Sequence, residues 1–191
     1  IINSKLTPEV NHYHVKEQGG QREEIIEGYD RPVYCVTVPG HVLYVRRNGK
    51  PCWSGNSNRH GGKGVVGYII PDNEAPHGKD GKPVDILFQP CYDDQTEFLT
   101  RRGWVKGPEL RDKEEFGTLN PSIFTLEYQE GLTQRVPYQG KMYHLENLHL
   151  DLRVTPNHKN FVAKVTPSGQ DGPFTLEEAQ DHYGSPRYFL K

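Results

Sequence analysis

Short runs of alternating or β-branched apolar residues recur along the chain, and most are closed by a turn signal. Residues 33–38 read Val-Tyr-Cys-Val-Thr-Val and stop at Pro39-Gly40. Residues 42–46 repeat the pattern and run into Asn48-Gly49, a pair that favours a two-residue hairpin because both residues tolerate positive φ. Glu97-Phe98-Leu99-Thr100, then Arg101-Arg102-Gly103, then Trp104-Val105-Lys106 predict a second hairpin. Further strands are expected at 123–128, 138–143 and 161–165, and at 148–154, where apolar and polar residues alternate strictly. Two stretches read differently. The charged run 21–27 predicts a short helix or an irregular segment, and 176–183 predicts a short helix. The whole pattern is that of an all-β fold made of many short strands.

Composition sharpens this picture. Among 191 residues there are 20 Gly and 15 Pro, and the hydrophobic set makes up only 34%, which favours strands joined by turns over long helices. The length suits one domain with a small insert. Lys and Arg number 23 against 25 Asp and Glu, so no bulk charge argues for nucleic acid or a membrane surface. No apolar run approaches the roughly 18–20 residues of a membrane span. No signal peptide is read, so a cytoplasmic location is expected, and Ile1 is not a start residue, so a trimmed N-terminus is expected. The three cysteines, Cys35, Cys52 and Cys91, are odd in number and widely spaced. Neither a disulfide framework nor a zinc ribbon is expected from them, and Cys52 reads as a small buried hydrophobe. No cofactor and no metal ion is expected.

Three stretches carry resemblances. Residues 91–106, Cys-Tyr-Asp-Asp-Gln-Thr-Glu-Phe-Leu-Thr followed by Gly103-Trp104-Val105, resemble the N-terminal block of an intein. Residues 33–57, with VYCVTV, YVRRNGK and WSGN before Ser57, resemble the C-terminal blocks of phage-type mini-inteins. Tyr138-Gln139-Gly140-Lys141-Met142-Tyr143 and the quartet Thr155-Pro156-Asn157-His158 complete the likeness. The order is permuted. Residues 1–56 resemble the C-terminal intein part and 91–191 the N-terminal part, together implying one all-β, Hint-type horseshoe, circularly permuted. Between them, 57–90 resembles a segment of the RNA polymerase β subunit, carried by Arg59, His60, Lys63, Gly64, Asp80, Gly81, Pro83, Val84 and Asp85. In that family the Arg-His-Gly loop lies close to the polymerising centre. Rich in Gly and Pro, 57–90 is expected to be poorly ordered as a flap outside the core.

The intein likeness implies a set of roles. Cys91 would attack the Pro90 carbonyl in an acyl shift, and a thiol is a good nucleophile even when partly ionised. His158 would donate to the departing nitrogen, while Thr155, on the same turn as Asn157, would hold the bond twisted. Ser57 would accept the acyl group and Asn56 would cyclise, joining Pro90 to Ser57 and releasing 57–90 as a ring. Cys35 would assist between the junctions and His41 would assist the cyclisation. Gly55 stands where many inteins carry histidine, and Pro90 lacks the usual amide N–H; both would slow the reaction. On this reading the protein is a single-turnover autocatalyst rather than a multiple-turnover enzyme. Its partner is itself, with a domain-swapped dimer open to it; no nucleic acid is bound by the intein and no membrane. The alternatives are the middle piece of a fractured polymerase gene, trans-splicing with complementary split-intein chains, and an inert Hint-like binding or scaffold module.

Overall fold

The computed structural model describes residues 10–13, 22–55, 91–120, 122–166 and 169–191. The expected flap 57–90 lies outside them, as do Asn56, Ser57 and Pro90. Before that segment come β1 (Val10–Tyr13), β2 (Arg22–Asp30), β3 (Val33–Thr37), β4 (Val42–Arg47) and β5 (Lys50–Gly55). After it come β6 (Glu97–Thr100), β7 (Gly103–Lys106), β8 (Lys113–Asn120), β9 (Thr125–Val136), β10 (Gln139–Glu146), β11 (Asp151–Val154), β12 (Lys159–Thr166), β13 (Gly169–Glu178) and β14 (Arg187–Leu190). Helical pieces among the described residues are a 3-10 turn at Gly107–Glu109 and a four-residue turn, α1 (Ala179–His182). The all-β expectation holds. None of the described helices is long and apolar enough to cross a membrane.

Among the described residues three sheets form, and their paired strands run antiparallel. One has the order β3-β9-β8-β4-β6-β7, with β5 added on β4; the second is β11-β10-β2; the third is β1-β14-β12-β13. Strands from before and after the segment are interleaved. β4 pairs with both β8 and β6, β3 with β9, β2 with β10, and β1 with β14. The two stretches therefore complete each other's sheets, and the main core mixes them, with Leu43, Val45 and Cys52 packed among Tyr92, Phe98 and Phe116.

Local sequence accounts for several elements as expected. Asn48 and Gly49 take φ of 48° and 75°, the conformation a two-residue hairpin with the strands' own twist requires, and β4 pairs with β5 across them. The hairpin of β6 and β7 turns at 101–102, with Thr100 opposite Gly103.

Other expectations are corrected. Residues 21–27 are neither helical nor irregular where they are described: β2 is a strand. Among the described residues it pairs only with β10, so its charged side chains stay partly or fully exposed and find partners, Arg22 with Glu24 at 2.8 Å and Glu27 with Lys141 at 2.9 Å. Residues 176–178 are strand rather than helix, because Leu176, Glu177 and Glu178 are claimed by Phe161, Asn160 and Lys159 of β12; the helical turn begins only at Ala179. Residues 122–124 form a turn, with Phe124 at φ 50°, and the strand starts at Thr125. Residues 148–150 are also outside the strand. The Asn147 side chain accepts the N–H groups of His149 and Leu150, both at 2.7 Å, a local turn that delays β11 to Asp151.

Candidate functional site

The chain leaves the described fold at Gly55, at the end of β5, and returns at Cys91. Both points meet at one buried junction. The Cys91 N–H donates to Thr155 Oγ1 at 2.9 Å, and the Thr155 N–H donates to the Cys91 carbonyl at 3.0 Å. Tyr92 is held between two strands, exchanging hydrogen bonds with Tyr34 at 2.9 and 3.1 Å and bridging Val154 on its other side. Its hydroxyl donates to the Gly55 carbonyl at 2.5 Å, which ties the two ends of the segment directly. Burial pushes the Tyr92 hydroxyl well above the usual tyrosine range, so it stays a neutral donor.

Alternation along β11 delivers the rest. Leu152 and Val154 enter the core, and Thr155 follows at the strand's end. The turn closes through the His158 N–H to the Thr155 carbonyl at 3.0 Å. This brings His158 Nε2 to 3.0 Å from Ser54 Oγ, with its ring edge-on to Tyr92 at 4.3 Å. Cys91, Thr155, His158 and Ser54 are all at 0% exposure, so water does not compete for these hydrogen bonds. α1 supports the turn from outside, its Ala179 and Gln180 N–H groups donating to the His158 and Pro156 carbonyls at 2.8 and 2.9 Å. Gly55 has a steric reason to be glycine. A Cβ there would collide with the Lys159 carbonyl and the Leu176 side chain, which leaves no room for a histidine.

Cys35 and Cys91 form a disulfide, 56 residues apart in sequence. This corrects the expectation of unpaired cysteines and of Cys91 as a free thiol. The pairing follows from topology. Tyr34 on β3 pairs with Tyr92, so the neighbouring Cys35 comes against Cys91 in a small apolar cluster with Tyr29, Val33 and Met142. Cys52 is free and fully buried, and burial pushes its thiol up to about 12.

Of the sequence-predicted residues, Cys91, Thr155, His158 and Cys35 come together. Asn157 is half-buried on the turn between Thr155 and His158. His41, at φ 60°, ends the turn between β3 and β4 with its N–H 3.3 Å from the Val38 carbonyl. Val42 pairs with Gly55, so His41 stands beside the point where β5 ends. Asn56 and Ser57 lie outside the described residues. Sequence reasoning missed Ser54 and Tyr92. Their signal was position alone: each is one residue removed from a predicted junction residue or its neighbour.

A second buried cluster binds the same two stretches. Arg47 at the end of β4 donates from Nε to Asp93 at 3.0 Å and from Nη1 to both Asp151 oxygens at 2.8 and 3.0 Å. Asn48 Nδ2 and His144 Nε2 lie 2.7 and 2.9 Å from Asp151, and Thr96 donates to Asp93 through its N–H and its hydroxyl. Burial alone would raise the Asp151 carboxyl, but the hydrogen bonds from His144 and Asn48 and the Arg47 charge hold it well below the usual carboxylate range.

Comparison with known proteins places the segment. Residues 55–91 match the family model for RNA polymerase Rpb2, domain 6, bounds that nearly coincide with Gly55 and Cys91 at the junction. The chain is 40% identical over 118 residues, 54% of its length, to the DNA-directed RNA polymerase subunit beta of Anaplasma phagocytophilum, covering 8% of that protein. It is 40% identical over 79 residues, 41% of its length, to the DNA-directed RNA polymerase subunit beta C-terminal section of Stigeoclonium helveticum, covering 7% of it. A 33-residue stretch, 17% of the chain, is 58% identical to the ATP-dependent Clp protease proteolytic subunit of Chlamydomonas moewusii, 3% of that protein. The chain thus spans less than a tenth of the length of these relatives. The polymerase β resemblance of 57–90 stands. The expectation of protein splicing, in cis or in trans, is corrected by these matches, which support an RNA polymerase β segment instead.

Proposed function

We propose that the chain is a piece of an RNA polymerase β-type protein that works within a polymerase complex, with 57–90 as its polymerase segment. The observation that carries this reading is the coincidence of the matched stretch, 55–91, with the two ends that meet at the buried junction. In the β subunit, the loop that Arg59, His60 and Lys63 resemble lies close to the polymerising centre. The same residues here are the contacts to nucleic acid or to the neighbouring subunit. The flanking residues 1–56 and 91–191 form one Hint-type domain in permuted order, a reading supported by the interleaving of β1 to β5 with the later strands. Cys91, Thr155, His158 and Cys35 act as its junction, with Asn157 and His41 at its border. Asn56 ends the first part of that domain, and Ser57 begins the segment that it holds.

A segment exchange tests this. Residues 57–90 are placed in a bacterial β subunit in place of the matching stretch, and RNA synthesis by the reconstituted polymerase is measured. Synthesis close to that of the parent is expected, and Arg59→Ala in the exchanged subunit should lower it. Activity no better than that of a subunit carrying the same 34 residues in scrambled order would overturn the proposal.

A further inference from the structure

We infer that the Cys35–Cys91 disulfide is a redox latch on the base of the segment, closed and opened by thiol–disulfide exchange with a dithiol. The bond fastens β3, before the segment, to the first residue after it, so 36–90 lie within a covalently closed loop. Noncovalent contacts at the same place are independent of the sulfurs. The Cys91 main chain is held by Thr155, and Tyr92 by Tyr34 and by the Gly55 carbonyl. Opening the bond therefore leaves the sheet register intact and changes only whether the segment's base is covalently tied. In the closed state the return point at Cys91 is tied to β3 by a bond that local fraying cannot release. In the open state the return point at Cys91 rests on hydrogen bonds and packing alone.

The exchange balances without another reactant. One thiolate of the dithiol attacks the sulfur of Cys35, the residue of the pair that retains some exposure, 5% against 0%, and the Cys91 thiolate leaves. The second thiolate of the dithiol then displaces Cys35 from the mixed disulfide. Two electrons pass to the protein, both cysteines take up protons, and the dithiol ends as a cyclic disulfide. Cys52 takes no part. It is fully buried, without a disulfide partner, and in a different apolar cluster from the Cys35–Cys91 pair. It serves as an internal standard.

The inference goes beyond the polymerase reading and does not rest on it; the segment exchange and the thiol measurement fail separately. The full chain is prepared air-oxidised and after dithiothreitol, unfolded, and labelled with a maleimide for intact mass. One adduct is expected from the oxidised chain and three from the reduced one. The oxidised chain should also melt higher, by on the order of ten degrees, because closing a loop of this length restricts the unfolded state. Cys35→Ser should take two adducts in either condition and melt like the reduced parent. Three adducts from the air-oxidised parent would overturn the inference, as would the same melting temperature before and after reduction. If Cys35→Ser does not fold, the adduct count and melting of the parent still decide it.

Discussion

Two buried clusters join the chain before the segment to the chain after it, and they do so by opposite chemistry. The junction of Cys91, Thr155, His158, Ser54 and Tyr92 uses single hydrogen bonds among small or aromatic groups. The clamp of Arg47, Asp93 and Asp151 uses full charges taken out of water, with side chains only 0–8% exposed. Removing a partner from the first leaves an orphaned dipole; removing Arg47 from the second takes the shared cation from two buried carboxylates, leaving Asp151 to Asn48 and His144 and Asp93 to Thr96 and the more distant Arg153. The difference teaches where fragility lies. A buried ion cluster adds little over an apolar core of the same shape, but it is very sensitive to losing one member. A neutral junction fails more gently and responds to redox conditions rather than to acid.

The sharpest way to break the comparison is Arg47→Ala. We expect a loss of about 3–5 kcal/mol, the usual cost of leaving buried charge uncompensated, measured by urea unfolding at neutral pH. If the loss is below about 1 kcal/mol, the range of an exposed ion pair, the clamp is not carrying its charges in a low-dielectric site.

Acid gives the next effect. The Asp151 carboxyl is held below its unfolded value, so its contribution is complete above about pH 3.9. It is lost as pH falls through the lower, folded value. Stability measured from pH 5 downward should fall more steeply for the parent than for Asp151→Asn, which cannot titrate there. Equal slopes would show that another carboxylate governs the acid limb.

The smallest expected effect is at the neutral junction. Thr155→Val keeps the shape and removes the acceptor for the Cys91 N–H, at a cost of about 1–3 kcal/mol for an unsatisfied buried donor. Amide exchange at Cys91 should quicken, while exchange in β6 and β8 stays as in the parent. A uniform quickening would mean that Thr155 supports the whole sheet rather than this junction.

What the sequence determined by itself was local. Asn48-Gly49 specified its hairpin because both residues accept positive φ, and Glu97–Thr100 with Gly103–Lys106 specified theirs through alternation and the turn between them. The strand leading to Thr155-Pro156-Asn157-His158 placed a turn at its end, and the polymerase likeness of 57–90 was legible from residue identities alone. What only the tertiary structure decided was which distant residues meet. The charged run at 22–27 is a strand because β10 offers it an edge, and 176–178 is a strand because β12 claims it. Ser54 meets His158 across 104 residues, Arg47 meets Asp151 across the same interval, and Cys35 meets Cys91 across 56. No periodicity within a window could encode those contacts. Arg47 and Ser54 are carried to their partners by β4, inserted between β6 and β8, and by β5 paired to it, and Cys35 by the pairing of Tyr34 with Tyr92; sheet pairing is chosen by the complementary face available after collapse rather than by neighbours in sequence.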